Sequence, residues 1–165
     1  MSNLRKISPC LWFDHEAEEA ANFYVGIFKN SKILRISRYG EAGKEIHGRQ
    51  PGSVMTVQFE LDGQTFTGLN GGPVFKFSEA VSFQIDCADQ KEVDYYWDKL
   101  TAGGDPQAQQ CGWVKDKFGL SWQVVPSMMA ELFGGPVTPG TERAMAAMLQ
   151  MKKLDIAALE RAYAG

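Results

Sequence analysis

Cys10-Leu11-Trp12-Phe13-Asp14 returns later in the chain as Ser82-Phe83-Gln84-Ile85-Asp86. The same interval, without a gap, carries Asn22-Phe23-Tyr24 onto Asp94-Tyr95-Tyr96 and Phe28 onto Leu100. Each copy reads as a short apolar strand ending in Asp, a polar turn, and an amphipathic helix with an aromatic pair in its middle. The period is too long for a solenoid unit and two copies are too few for an array. Two similar modules packed face to face are expected, and the space they enclose is the place to look for function.

Around the repeat the chain reads as strand, helix, strand, strand, strand, twice. In the first copy the strands are expected over residues 7–13, 32–39, 54–61 and 64–70, with a helix over 17–28 that Asp14 can cap. Residues 40–52 are polar and glycine-rich and read as a long loop. Asp62-Gly63 is a two-residue hairpin signal. In the second copy the strands fall over 81–85, 107–111, 113–115 and 121–125, with a helix over 91–100 stopped by Gly103-Gly104. After Pro126 come a short helical segment around 128–133, a helix over 141–151 and a last helix that Asp155 can cap. This tail is amphipathic through Met145, Met148, Leu149, Leu154, Ile156 and Leu159. Packing on its own sheet and docking a partner are both open to it. The fold class is therefore α+β: one domain of module one (residues 5–75), module two (residues 78–127) and a helical tail (residues 128–165).

Composition narrows the function. A chain of 165 residues, 44% hydrophobic and 12% aromatic, is enough for one core or two half-sized ones. Seventeen basic residues against twenty acidic ones remove the cationic footprint of a nucleic-acid binder. No stretch is long and apolar enough for a membrane span. The first six residues lack the apolar core of a signal peptide and the Arg-rich pattern of a transit peptide. Cys10, Cys87 and Cys111 are odd in number without CxxC spacing, so free thiols in a cytoplasmic protein are expected.

Specific phrases resemble a known family. Pro9-Cys-Leu-Trp-Phe-Asp14 followed by Ala17-Glu-Glu-Ala-Ala-Asn-Phe-Tyr24 is similar to the opening of the PhnB-like family of the vicinal oxygen chelate superfamily. So are Gly63-Gln-Thr-Phe66, Leu69-Asn-Gly-Gly-Pro73, Val93-Asp-Tyr-Tyr-Trp-Asp-Lys-Leu100 and Asp116-Lys-Phe-Gly-Leu-Ser-Trp-Gln-Val-Val-Pro126, and residues 143–163 resemble the tails of that family. The superfamily includes glyoxalase I, extradiol dioxygenases and bleomycin-resistance proteins. The resemblance implies two tandem βαβββ modules whose strands form a curved mixed sheet around a cavity, the glyoxalase/bleomycin resistance fold, with C-terminal helices. It also implies a homodimer. Family members often carry the label 3-demethylubiquinone-9 3-methyltransferase-like.

In metal-dependent relatives, His and Glu from the first and last strands of each module converge on one divalent ion. Here the corresponding faces offer Ser8, Cys10 and Trp12, then Ala80, Ser82 and Gln84. The last strand of module one holds no Asp, Glu, His or Cys, and module two places Gln123 where relatives carry Glu. The expectation is no metal and no cofactor. Cys10, Trp12, Ser82, Gln84, Trp113, Trp122 and Gln123 are the candidate ligand-binding residues, tryptophans for the apolar surface and glutamines as polar fixtures. Cys10, as a cavity thiol, and His47, in the long loop, are the weak catalytic candidates; a packing thiol and a solvated loop residue are the plainer readings.

The leading function is a metal-free protein that binds a small apolar or aromatic molecule in its sheet cavity. A metal-dependent lyase or dioxygenase of the glyoxalase type is the alternative, and an interaction module built on the methionine-rich tail is a third. Methyl transfer has no support beyond the family label, since no glycine-rich turn opens a helix after a strand.

Overall fold

Val57, Phe59 and Leu61 alternate with Thr56, Gln58 and Glu60, and that period of two sets the layering of the first half. The computed structural model describes residues 5–165; one compact unit ends at Lys76 and a second runs from Phe77 to Gly165.

The first unit contains β1 (Cys10–Phe13), α1 (Ala17–Ile27), β2 (Lys32–Arg38), the single helical turn α2 (Lys44–His47), β3 (Val54–Leu61) and β4 (Gln64–Asn70). Its sheet runs β1-β4-β3-β2, with β1 parallel to β4 and the other neighbours antiparallel. Asp62 and Gly63 have φ of 47° and 77°, which makes the β3–β4 connection the tight hairpin the dipeptide predicts. Helix α1 packs on β3 and β4. It buries Ala17, Ala20, Ala21, Tyr24 and Ile27 against Leu11, Phe13, Val57, Phe59 and Phe66. Alanine and glycine let the layers meet closely: a Cβ on Gly68 would lie 3.2 Å from that of Ala17. Tyr24 stacks on Phe59 at 6.3 Å and Phe59 on Phe66 at 5.5 Å between centroids. Each such buried side chain contributes about 1.5–3 kcal/mol.

Strand β2 carries a bulge. Its register steps from Ile33 opposite Phe59 to Arg35 opposite Gln58, leaving Leu34 as the extra residue. Lys32, Arg35 and Ser37 therefore all stand on the face away from α1, opposite Glu60, Gln58 and Thr56.

The second unit contains β5 (Ser82–Cys87), α3 (Gln90–Thr101), β6 (Trp113–Lys115), β7 (Ser121–Pro126), α4 (Met128–Phe133), α5 (Pro139–Met148) and α6 (Ile156–Ala164). Its sheet runs β5-β7-β6, with β5 parallel to β7. As in the first unit, the opening strand pairs with the closing one. Val93, Trp97 and Leu100 of α3 are buried, as are Ile85, Cys87, Val114, Trp122 and Val124 of the sheet. The tail belongs to this unit. The Gln90 side chain donates to the Leu154 carbonyl (3.1 Å) and accepts from the Ile156 N–H (2.9 Å), and Leu154 and Leu159 are fully buried. Neither sheet closes into a barrel. Among the described residues no helix is long and apolar enough to cross a membrane.

Several expected elements differ. The first strand begins at Cys10 rather than residue 7, since Pro9 has no N–H and Ile7 is exposed. Residues 107–111 do not form a strand: Asp105 caps a 3-10 turn at Pro106–Ala108, and only the pair Gln110–Trp113 remains. The loop over 40–52 is shortened by α2. Asp14 does not cap α1, whose first turn is held by the Asn70 side chain accepting from the Ala17 N–H at 2.9 Å. The helix expected over 141–151 starts earlier, at Pro139, because Thr138 and Thr141 form a reciprocal capping box.

Candidate functional site

The side of each sheet that carries no helix holds most of the candidate residues. In the first unit, register sorts that face into rows running across the strands. One row is Arg35, Gln58, Thr67 and Cys10; the next is Ser37, Thr56, Leu69 and Trp12. Trp12 is fixed from three sides. Its indole N–H donates to the Gly72 carbonyl at 2.9 Å, and the Phe75 ring meets it edge-on at 4.9 Å. Gly71 leaves the space its ring fills, where a Cβ would lie 2.2 Å from ring carbon.

The long loop is stapled beside Trp12. Arg49 Nη2 donates to the Asp14 carbonyl and lies 3.3 Å from Asp14 Oδ1. Tyr39 Oη donates to the Asn70 carbonyl, and the His47 ring packs on Tyr39 with centroids 4.5 Å apart and planes tilted by 34°. His47 Nδ1 accepts from the Arg49 N–H at 2.9 Å, and its Nε2 lies 3.2 Å from the Ala42 carbonyl. Both ring nitrogens of His47 are thus engaged within its own loop. Cys10 lies on the helix-free face, exposed, and partial burial pushes its thiol upward, toward the protonated form.

In the second unit the register row is Gln84, Gln123 and Trp113, beside Ser82, Ser121 and Lys115. Gln123 Nε2 donates to Ser82 Oγ at 2.8 Å, and Gln84 Nε2 donates to Gln123 Oε1 at 3.4 Å. Lys115 pairs with Glu79, and that hydrogen bond holds the Glu79 carboxyl below the usual range. A depression of about 450 Å³ adjoins Trp113, lined also by Glu79, Ala108, Gln110 and Cys111. Trp122 stands apart from this set. It is 3% exposed on the helix side, and its indole N–H donates to Asp116 Oδ2 at 2.9 Å. Cys87 is buried, and burial, reinforced by the Glu92 and Asp86 carboxylates, pushes its thiol to about 12.

Ser121 Oγ is buried without a hydrogen-bond partner among the described residues. An unpaired hydroxyl bears its desolvation cost with no return, so Ser121→Ala is expected to be neutral or to stabilise by about 1 kcal/mol. Chemical denaturation checks this, and a loss above about 1 kcal/mol would reveal a partner to the hydroxyl.

The donors on these faces do not match the His and Glu set of metal-dependent relatives. Cys10 on β1, Thr67 on β4, Ser82 and Gln84 on β5, and Ser121 and Gln123 on β7 are uncharged groups, and the Gln123 amide is occupied by its neighbours. Among the described residues no three His, Cys, Asp or Glu side chains gather as an ion site requires.

Sequence reasoning did not name Arg35, Gln58, Thr67 or Leu69 for the first face, or Ser121 and Lys115 for the second. One signal was available. The Asp62-Gly63 turn sets Leu61 opposite Gln64, and counting outward places Thr67 opposite Gln58. The parallel pairing that adds Cys10 and Trp12 to those rows had no such marker.

A family model described as 3-demethylubiquinone-9 3-methyltransferase matches residues 5–125. Among solved structures, a PhnB protein from Bacillus cereus, provisionally described as a 3-demethylubiquinone-9 3-methyltransferase, is 35% identical over 74% of this chain and 99% of its own, with a TM-score of 0.62. Protein PA1353 from Pseudomonas aeruginosa shares the fold at 17% identity, over 74% of this chain and 97% of its own, with a TM-score of 0.56. The fosfomycin resistance protein FosX from Listeria monocytogenes aligns at 15% identity, over 79% of this chain and 98% of its own, with a TM-score of 0.49. No curated protein matches the chain. The repeated strand–helix modules, the sheet pairing and the matches over most of the chain agree: this protein is a member of the PhnB-like family of the vicinal oxygen chelate superfamily and has the glyoxalase/bleomycin resistance fold.

Proposed function

We propose that this chain binds a small apolar or aromatic molecule against the helix-free faces of its sheets, without the divalent ion that its metal-dependent relatives use. The observation that carries the reading is the second sheet's face. Gln84 and Gln123 share a register row with Trp113, Gln123 also bonds Ser82 of the next row, and Trp113 lines a depression large enough for a metabolite. Aromatic surface beside a few fixed neutral polar groups is the usual make-up of such a site, and Trp12 supplies a second rigid aromatic surface in the first unit. The methyltransferase in the family's description finds little support in the glycines. Gly71 makes room for Trp12 and the Gly103-Gly104 pair follows the end of α3, so neither opens a helix beneath a nucleotide. A homodimer in the cytoplasm, where three unpaired cysteines stay reduced, belongs to the same proposal.

Titrating tryptophan emission with a panel of aromatic metabolites tests it. A compound at the second sheet's face is expected to quench the wild type, and Trp113→Phe to remove most of that quench while Trp97→Phe, within the helix core, does not; for a compound at the first sheet's face Trp12→Phe takes the place of Trp113→Phe. The reading fails if no compound quenches, or if every quench survives both Trp113→Phe and Trp12→Phe. One transition metal per chain in the purified protein would overturn its metal-free part.

A further inference from the structure

We propose that the helix-free face of the first sheet is itself a binding surface for an aromatic or apolar carboxylate, that it reads the anionic end of that molecule, and that Arg35 is the residue that selects it. The inference rests on the ligand-binding reading above and adds a charge and a place to it.

The bulge at Leu34 is what brings Arg35 to this face. Strict alternation from Lys32 would present Leu34 and Ile36 there and turn Arg35 toward the helix side. The extra residue resets the period so that Arg35 and Ser37 join Lys32 instead. Leu34 is left 41% exposed as a consequence. Bulges commonly re-aim a side chain at a site in this way.

The other polar groups of β2 are already engaged. Lys32 lies 3.9 Å from Glu60, Arg38 Nη1 donates to the Gly52 carbonyl at 3.1 Å, and Ser37 bonds Thr56. Among the described residues, the side chains of Arg35, Gln58 and Thr67 have no hydrogen-bond or ion-pair partner. They are consecutive members of one register row on three neighbouring strands. A guanidinium, a primary amide and a hydroxyl in line can all donate to a carboxylate, the guanidinium through two parallel bonds. Arg35 is thus an uncommitted cation on a chain whose net charge is −3.

The neighbouring row supplies the apolar half. Trp12 and Leu69 lie one row along the strands from Cys10 and Thr67, with the Trp12 ring held by Gly72 and Phe75. Neighbouring strands are about 4.8 Å apart, so the step from Leu69 and Trp12 across to the reach of Arg35 is on the order of 10 Å. That is the length of a two-ring aromatic acid lying with its rings on Trp12 and Leu69 and its carboxylate at Gln58 and Arg35.

The test compares 2-naphthoate with 2-naphthamide, one framework with and without the charge, by amide and indole NMR titration of the full chain as wild type, Arg35→Met and Arg35→Lys. The wild type is expected to bind the acid at least about tenfold more tightly than the amide, the low end for a charge-assisted bond. Resonances of Gln58, Thr67 and the Trp12 indole should shift. Arg35→Met should lower the acid to about the affinity of the amide, and unchanged backbone resonances at Ala20 and Tyr24 in the buried core report that the variant is folded. Arg35→Lys should restore part of the preference. Equal affinity for acid and amide in the wild type, or a preference that survives Arg35→Met, overturns the assignment to Arg35 and leaves the ligand-binding reading standing. Failure of both compounds to shift any residue of either sheet face counts against both.

Discussion

Asp116→Ala is expected to lower stability by about 3–5 kcal/mol, the range for stripping the partner from several buried polar groups at once. Asp116 is 2% exposed and organises the connection between β6 and β7. Its Oδ1 accepts from the N–H groups of Phe118 (2.8 Å) and Leu120 (3.1 Å), and its Oδ2 accepts from the Trp122 indole at 2.9 Å. Alanine leaves these three donors without that acceptor, two of them buried and that of Phe118 half-buried, and the turn loses the anchor that sets Trp122 against the helix layer. For a chain of this length the loss corresponds to a fall in Tm of roughly 8–15 °C. Asp116→Asn should fall between the two. It keeps one acceptor for the turn amides but faces the Trp122 N–H with a second donor. A midpoint change in Asp116→Ala below about 3 °C would show that the carboxylate is not what holds this turn.

Asn70→Ala is the second large effect, expected at about 2–3 kcal/mol for two buried groups left unpaired. Asn70 ends β4, and its side chain joins three elements: Oδ1 caps α1 at Ala17, and Nδ2 donates to the Val54 carbonyl at 3.1 Å where β3 begins. The replacement exposes the first turn of α1 as well as lowering the unfolding midpoint. Hydrogen exchange at the Ala17 amide should therefore accelerate by more than global destabilisation accounts for. Asn70→Asp preserves the acceptor and loses the donor, so it should protect Ala17 while still weakening the contact to β3. If Ala17 exchanges at the same rate in Asn70→Ala as in wild type, the cap is not supplied by this side chain.

Local signals carried most of the fold. Asp62-Gly63 marked the hairpin, the periods of β3 and α1 marked a core face, and Asp155 capped the last helix as expected, accepting from the Ala158 N–H at 3.0 Å. What stayed hidden depended on distant partners. Asn70 caps a helix that starts far earlier in the chain, so the nearer Asp14 looked like the cap. The second unit's missing strand turned on Pro106, whose fixed φ and absent N–H suit a 3-10 turn. Candidate-site residues were legible where alternation could be anchored. Gln84, Gln123 and Trp113 do share a face. Trp122 and Gln123 are adjacent in one strand, so they face opposite sides and a single surface takes only one of them. Which one it takes depends on where α3 packs, and that is a tertiary fact.

Because β1 pairs with β4 and β5 with β7, each half is completed by its own last strand. During synthesis Cys10 has no neighbour to bond until Thr67 leaves the ribosome, an interval of about 3–11 seconds at ordinary rates of elongation. Through that interval β1, with Leu11 and Phe13, is an unpaired edge exposed to other nascent chains. The strand is only four residues long, which limits what such an edge can recruit while it waits.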